Sequence, residues 1–362
     1  MTDRLSEIRQ RIDAVDARLL ELLAERGRLV LEVGALKHAT NAPVWRPERE
    51  AQIMQRLADT NPGPLPDGAL QSIWREVISA CRALESRLRI GYLGPVGTFS
   101  EQAVIAQFGQ GVEAVPCVSF DEVFRATEAG TVDFGVVPVE NSTEGAVNRS
   151  LDLFLQSPLH ICGEVTVPVR HHLLSRSGTM EGITRICAHA QALAQCVGWL
   201  DRNHPGIERV PVASNAEGAR LAAIEPHTAG IAGDGALGRY DVQIVAEAIQ
   251  DDPLNRTRFV VIGNHACGLS GADQTSLILS VPDRAGAVHA LIEPLARHGV
   301  SMKRFESRPA RQGTWEYYFY IDLLGHQDEP HVAAALAEIR SNSAFYKSLG
   351  SYPREAGSRS FS

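Results

Sequence analysis

The chain has 362 residues, 44% hydrophobic and 22% charged, ordinary for folded globular protein but too long for one typical core. Its formal net charge of -8 gives no reason to expect a nucleic acid or an anionic membrane as partner. Six cysteines without a C-x-x-C pair argue against a zinc site or a disulfide framework and fit reduced thiols in a cytosol; a charged start and the lack of a run of about 18 apolar residues argue against a signal peptide or a membrane span.

From Ser6 to about His38 there is no proline, and Ile8, Ile12, Val15, Leu19, Leu22, Leu29, Val33 and Leu36 follow heptad spacing. This predicts a helix roughly 50 Å long at 1.5 Å per residue, which needs partner helices or a second copy of the chain. Arg26 occupies the missing seam position. A guanidinium there costs several kcal/mol (roughly) unless an anion meets it; the alternative is a snorkelling arginine or one paired with a glutamate. Lys37 shares its face, whereas Arg9 points to a different site, one that a partner chain could own. A second helix starts near Pro47 and carries Arg49 and Glu50. A third carries Leu70, Ile73, Trp74, Val77, Ile78, Cys81, Leu84 and Leu88, with Glu85 one turn after Cys81. A carboxyl on that apolar row can stay protonated and donate a hydrogen bond, or it is a helix-end glutamate turned to water.

Arg9, Arg26, Lys37, Arg49, Glu50, Cys81 and Glu85 in this arrangement resemble the all-helical chorismate mutases. The resemblance implies an intertwined homodimer in which Arg9 reaches into the neighbour's site. Arg26 and Lys37 would meet two carboxylates, and Lys37 and Glu85 would serve the ether oxygen as negative charge grows there. Some relatives carry an acid where Arg46 stands, a serine at Cys81 and a glutamine at Glu85.

After Leu88 the pattern becomes α/β. Strands are expected at Arg89–Leu93 and Val112–Cys117, with helices at about Glu101–Phe108 and at Ser119–Glu128, the latter capped by Ser119. The apolar run Phe134–Val139 reads as a buried strand, followed by polar Glu140–Gly145 and an apolar helical pattern. That loop either holds an anion or is an ordinary helix start capped by Ser142 or Thr143. Strands follow at His160–Val167 and Val169–Leu174. A second set comprises strand Arg185–Ala188, helix Gln191–Leu200, strand Arg209–Val212, helix Asn215–Ala223 and strand Ala229–Ala232. The segment after Asp251 ends as a strand that could return to the first lobe, giving two lobes around a cleft.

Three separated motifs, G-P-V-G-T-F-S from Gly94, V-P-V-E-N-S from Val137 and T-R-F from Thr257, resemble prephenate dehydratase. The resemblance places Thr257 near the departing hydroxyl and Asn141, Ser142 and Thr143 as donors to carboxylates. Gln195, Asn255 and Phe259 complete the substrate-binding set; Glu140 is either catalytic or structural. Arg258 either anchors a carboxylate or holds the strand. His189 stands where relatives have Ser-His-Pro, but Ala188 and Ala190 flank it, so any serine role is absent; His189 itself is either a functional histidine or a packed core histidine.

The last ninety residues read as strand Thr275–Val281, a helix to His298, strands Ser301–Arg308 and Trp315–Leu323 around a turn at Gln312-Gly313, helix Val332–Arg340 and strand Ala344–Leu349, a ferredoxin-like order. Gly286-Ala287-Val288 and Glu306-Ser307-Arg308-Pro309 resemble the two phenylalanine-binding motifs of the ACT domain, with Arg308 a possible carboxylate anchor; a bare dimerisation module is the alternative.

Over its whole length the chain resembles the bifunctional chorismate mutase–prephenate dehydratases of phenylalanine biosynthesis. The implied fold is multidomain: an all-α mutase domain at 1–88, an α/β bilobal dehydratase domain of periplasmic-binding-protein type at 89–268, and an α+β ferredoxin-like ACT domain at 269–362. The ligands implied are chorismate, prephenate and L-phenylalanine as effector, in a cytoplasmic homodimer with helix-swapped mutase domains. No metal or organic cofactor is implied. The competing reading is a ligand-sensing transcriptional regulator with a helical head and a bilobal sensor. Against it, the first helix interleaves Asp and Glu with its arginines.

Overall fold

The computed structural model describes residues 2–40, 43–282, 284–309 and 317–355, with side chains of the first helix described for residues 4–37. The expected turn at Gln312-Gly313, the strand start at Trp315 and Asp283 lie outside these residues. The chain forms two compact units, one of Met1–Arg46, Ile53–Leu88 and Phe108–Glu113, the other of Pro47–Gln52, Arg89–Gln107 and Ala114–Ser362.

The first unit is helical. Helix α1 runs unbroken over Thr2–Thr40, α3 spans Asp67–Glu85, and α2 (Pro47–Thr60, with proline in its first turn) belongs to this unit from Ile53 onward. α1 and α3 meet where α1 has glycines: a Cβ on Gly27 would lie 3.5 Å from Leu84 Cδ1, and one on Gly34 only 2.8 Å from Glu85 Cγ. Trp45 packs against Phe108 with ring centroids 4.8 Å apart and planes tilted by 51°, and Arg82 donates to the Phe108 carbonyl at 2.7 Å.

The second unit holds three sheets. The first lobe contains β1 (Arg89–Leu93), α4 (Phe99–Phe108), β2 (Glu113–Cys117), α5 (Phe120–Glu128), β3 (Phe134–Asn141), β4 (Gly145–Ala146), α6 (Asn148–Gln156) and β5 (His160–Pro168). The second lobe contains β6 (His172–Ser175), β7 (Arg185–Ala188), α7 (Ala190–Gln195), α8 (Val197–Asn203), β8 (Glu208–Pro211), α9 (Asn215–Ile224), β9 (Thr228–Ala232) and β10 (Gln243–Ala246). β11 (Arg256–Gly263) returns to the first lobe, where the strand order is β2-β1-β3-β11-β5 with β4 on β3. The second sheet runs β10-β6-β9-β7-β8.

Two crossing segments join the lobes and bond to each other. Val169 N–H donates to the Asn255 carbonyl at 2.8 Å, and Ile249 N–H to the His171 carbonyl at 2.7 Å. Residues 169–171, expected as strand, are therefore hinge, and β6 begins at His172. Ser119 caps α5 as expected, accepting from Glu122 N–H. The helix after the polar loop starts only at Asn148, with no side-chain cap, because Gly145 and Ala146 first pair with β3. The expected helix 191–200 breaks at Cys196. There Asp251, from the hinge, accepts from the Gly198 and Trp199 N–H groups at 2.8 and 2.9 Å and starts α8 anew. β4 and β10 were not foreseen.

The third sheet consists of β12 (Asp273–Ser280), β13 (Met302–Pro309), β14 (Tyr317–Leu324) and β15 (Phe345–Pro353), ordered β13-β14-β12-β15, with helices α10 (Ala287–Arg297) and α11 (Pro330–Asn342). This is the ferredoxin-like order. Strand alternation divides its faces. Leu277, Leu279, Phe319, Ile321 and Leu323 form one core with Leu291 and Leu336 of the helices. Ser276, Tyr320 and Asp322 point the other way, where Tyr320 Oη donates to the Leu151 carbonyl of the first lobe at 2.8 Å.

Candidate active sites

In the helical unit, the spacing that put Arg26 and Lys37 on one face of α1 brings Lys37 onto α3. Lys37 Nζ donates to the Val44 carbonyl at 2.9 Å and to Glu85 Oε2 at 3.2 Å. The Glu85 side chain is only 4% exposed. Among the described residues, Arg26 Nη1 and Glu85 Oε1 are both buried with no hydrogen-bond partner. Buried polar atoms without partners are uncommon in folded proteins, which marks these two side chains as candidates for contact with a polar ligand. Glu85 was expected to present a proton. Here Oε2 is an acceptor for Lys37, so only Oε1 is left to face a ligand, and nothing in the unit turns it to water. Cys81 is buried one turn earlier on α3. Arg9 lies seventeen residues before Arg26 in one unbroken helix, about 26 Å along the axis, and is exposed. It cannot reach Arg26 of its own chain. Arg49 and Glu50 lie in the first turns of α2, Arg49 exposed and Glu50 half-buried, and Arg46 precedes them, exposed.

The second site is built on β11 and the end of β3, where Thr257 pairs with Asn141. Asn141 Oδ1 accepts from the backbone N–H groups of Thr143 and Glu144, each at 3.0 Å. Two backbone donors fix which end of the amide is oxygen. Its Nδ2 therefore faces Asn255 Oδ1 at 2.9 Å, the Arg256 carbonyl at 3.2 Å and Thr257 Oγ1 at 2.9 Å. Thr257 Oγ1 thus accepts from Asn141, and its own proton is free to be donated elsewhere. Asn141 itself is saturated; it shapes the site and holds Thr257 rather than offering a spare donor to a carboxylate. Ser142 likewise closes the loop, with its N–H on the Arg256 carbonyl and its Oγ accepting from Arg256 N–H at 3.0 Å. Thr143 Oγ1 reaches Asp252 at 3.4 Å. The spare donor belongs to Asn255, 3% exposed, whose Nδ2 is buried without a partner.

From the other lobe, Gln195 donates to Glu144 Oε1 at 3.3 Å, so the loop after β3 touches α7 across the cleft. Gln195 Oε1 in turn pairs with His171 Nε2 at 2.9 Å, and His171 Nδ1 is left unpaired. Burial pushes the His171 imidazole below its ordinary range, so it is held neutral. Glu144, His171, Asp251 and Asp252 escaped the sequence reading. The R-H-H run between two strands and the D-D-P run before T-R-F were the available signals, both polar groups at lobe crossings.

Other expected residues lie elsewhere. Alternation along β11 and β3 puts Arg258 and its pair Glu140 on the face away from Thr257, toward the third sheet. There Glu140 Oε2 stands 4.0 Å from Arg258 Nη1 and 3.5 Å from Arg304 Nε. Phe259 is buried in the sheet core. His189 is not a core histidine: it is exposed, and its Nδ1 caps α7 by accepting from Gln191 N–H at 3.3 Å. In the third sheet, Gly286 takes a left-handed φ of 79° at the start of α10, followed by buried Ala287 and exposed Val288. Glu306, Ser307, Arg308 and Pro309 lie on the edge strand β13. Arg308 is already engaged, donating to the Asn148 carbonyl at 2.6 Å and pairing with Asp152 at 3.0 Å on α6.

Comparison with known proteins agrees with this layout. Residues 8–86 match the family model of chorismate mutase type II, 90–267 that of prephenate dehydratase and 275–341 that of the ACT domain. A bifunctional chorismate mutase/prephenate dehydratase of Pseudomonas aeruginosa is 46% identical over 97% of this chain and 98% of its own length. That of Neisseria gonorrhoeae is 47% identical over 95% and 96%. Among solved structures, the prephenate dehydratase of Arthrobacter aurescens in complex with L-Phe superimposes with a TM-score of 0.68 at 33% identity, covering 74% of this chain and 90% of that one. The regulator reading gains no support from these likenesses. With helical mutase elements, a bilobal dehydratase and an ACT sheet in that order, the chain belongs to the bifunctional chorismate mutase/prephenate dehydratase family.

Proposed function

We propose that two separate sites divide the work of this enzyme, one rearranging chorismate and the other turning the resulting prephenate into phenylpyruvate. In the first, the Arg26 guanidinium and the Lys37 ammonium take the two carboxylates. Lys37 and Glu85 stand at the ether oxygen, where charge develops as the bond breaks. The rearrangement is unimolecular and needs no nucleophile. Arg9 completes the site from a second chain. The apolar seam of α1 supports this, since Ile8 to Leu36 of the heptad positions are 45–70% exposed in a single chain. The enzyme is then a homodimer with exchanged α1 helices.

In the second pocket, decarboxylation of prephenate supplies the electron pair that makes the ring aromatic as the ring C–O bond breaks. Thr257 donates its hydroxyl proton toward the departing oxygen. A threonine is too weak an acid to act unaided, so it relays a proton rather than losing one for good. Asn255 Nδ2, with Gln195 and Thr143 from either side of the cleft, receives the carboxylates. The observation that carries this reading is the forced orientation of Asn141, which donates to Thr257 Oγ1 and so leaves that hydroxyl as a donor.

The third sheet is the sensor. L-Phenylalanine, as bound by the Arthrobacter protein, occupies the region of Gly286–Val288 and Glu306–Pro309 and inhibits by favouring a less active arrangement. We place the mutase, dehydratase and ACT domains at 1–88, 89–268 and 269–362, and the enzyme in the cytoplasm. No helix among the described residues is long and apolar enough to cross a membrane.

The test is incubation with chorismate, following prephenate and phenylpyruvate separately. Arg26→Ala should lower the first conversion by about 10²-fold or more and spare the second; Thr257→Ala should do the reverse, by about 10²–10³. A substitution that abolishes both conversions would refute two separate sites.

A further inference from the structure

Arg258 follows Thr257 directly, but its side chain leaves the site and enters the sensor. Its Nε donates to Glu164 Oε2 on β5 at 2.8 Å, Nη1 to Asp322 Oδ2 on β14 at 2.6 Å, and Nη2 to Tyr352 Oη on β15 at 3.0 Å. The partners are joined among themselves. Ser276 Oγ donates to Asp322 Oδ1 at 2.6 Å and lies 2.7 Å from Tyr352 Oη. Gln274 Nε2 donates to Tyr352 Oη at 2.8 Å and reaches Glu164 Oε2 at 3.3 Å. Asp322, Tyr352, Ser276 and Gln274 are all buried. Thus an arginine of the dehydratase sheet has one carboxylate from its own lobe and a second carboxylate and a phenol from the sensor. A fork with three fixed acceptors has one good geometry, and it fixes the strand that bears it.

We propose that Arg258 is a positioning residue through which the sensor sheet sets the placement of Thr257, and that Asp322 is the sensor's handle on it. Consecutive strand residues point to opposite faces, so a shift of the Arg258 anchor moves the Thr257 hydroxyl on the other side of the same strand. The route from the effector region is short. Glu306 of β13 is paired with Tyr320 of β14, Arg304 with Asp322, and Asp322 holds Arg258. A ligand seated along Glu306–Pro309 that displaces β13 against β14 therefore acts on the carboxylate that orients Arg258. Because the cluster is buried and its ion pairs join two sheets, it is expected to hold or break rather than stretch, which is the behaviour required of a coupling element. This assigns Arg258 to coupling, not to the substrate carboxylate. The coupling rests on the sensor reading given above.

The experiment uses the full chain and reads both activities together with L-phenylalanine binding by calorimetry. Arg258→Lys keeps the charge but loses the fork. It should lower dehydratase kcat about 10-fold with KM within about 2-fold, and leave mutase activity unchanged. Asp322→Asn should lower basal kcat no further than Arg258→Lys does and keep the L-phenylalanine Kd within about 3-fold. The concentration of L-phenylalanine needed for half-inhibition should rise at least about 10-fold, and Asp322→Glu should restore part of the response. Tyr352→Phe removes one acceptor without removing a charge. It provides the milder variant should Asp322→Asn fold poorly, with a smaller change in the same sense expected. An Asp322→Asn or Tyr352→Phe chain that binds and responds to L-phenylalanine as the wild type does overturns the proposal. So does Arg258→Lys with unchanged kcat. A wild-type chain that binds no L-phenylalanine overturns the sensor reading first, and the coupling with it.

Discussion

Asn141 shows how one amide can hold together a loop and the hydroxyl of a neighbouring strand. Its oxygen is claimed by two backbone donors, so its nitrogen must face Thr257 and Asn255. The motif V-P-V-E-N-S pointed to this residue as a binder. What it does follows from partners 114 to 116 residues away in sequence, which no local pattern reveals. His171 belongs to the same scale. It is 2% exposed, bonded to Gln195, and held neutral by burial. An unfolded histidine titrates near about 6.5. Its folded value is lower, so below about pH 6.5 the unfolded chain binds a proton that the native chain refuses. Stability should therefore fall as pH drops through this window, by at most about 1.4 kcal/mol per pH unit for one group, and level off below the folded value. Denaturant midpoints of wild type and His171→Gln across pH 5 to 8 check this; the variant should show the shallower slope, and parallel slopes would exclude His171 as the source.

At the scale of elements, close approach is bought with glycine. α1 and α3 meet at Gly34, where a Cβ would fall 2.8 Å from Glu85 Cγ. Gly34→Ala must push Glu85 or the helix aside. Displacements of this size at a site can cost up to about 10²-fold, so mutase kcat/KM should fall at least about 10-fold while dehydratase activity stays. Parallel assays of the two activities decide it, and an unchanged mutase would show that Glu85 is not placed by this contact. Elsewhere β11 serves two masters: Thr257 faces the loop after β3, and Arg258 faces the sensor. β12 shows the same economy. It is buried on both sides, with Leu277 and Leu279 in the helical core and Gln274 and Ser276 in the polar cluster.

For the molecule as a whole, the proposed second chain would cover the exposed seam of α1 and bring an Arg9 to each Arg26. An Arg9→Ala chain and an Arg26→Ala chain should each be nearly inactive as mutases. Co-expressed, they form heterodimers in which one site has both arginines. Random pairing then gives about a quarter of wild-type activity, because half of the dimers are mixed and half of their sites are intact. Recovery of no mutase activity in a population shown to contain mixed dimers would place Arg9 outside the neighbour's site.

Periodicity and punctuation sufficed for the helical head, the two lobes and the βαββαβ order, because those patterns arise from local backbone geometry and from which faces avoid water. Thr257, Asn141 and Gln195 came instead from the resemblance to the prephenate dehydratases, which periodicity does not supply. Tertiary structure alone decided that Glu140 and Arg258 turn away from the site, that Arg308 rests on α6, and that Asn255 holds the unpaired donor. The reason is physical. A charged or amide side chain takes its meaning from the partners that satisfy it, and here those partners lie 64 to 160 residues along the chain and meet only when separate sheets pack.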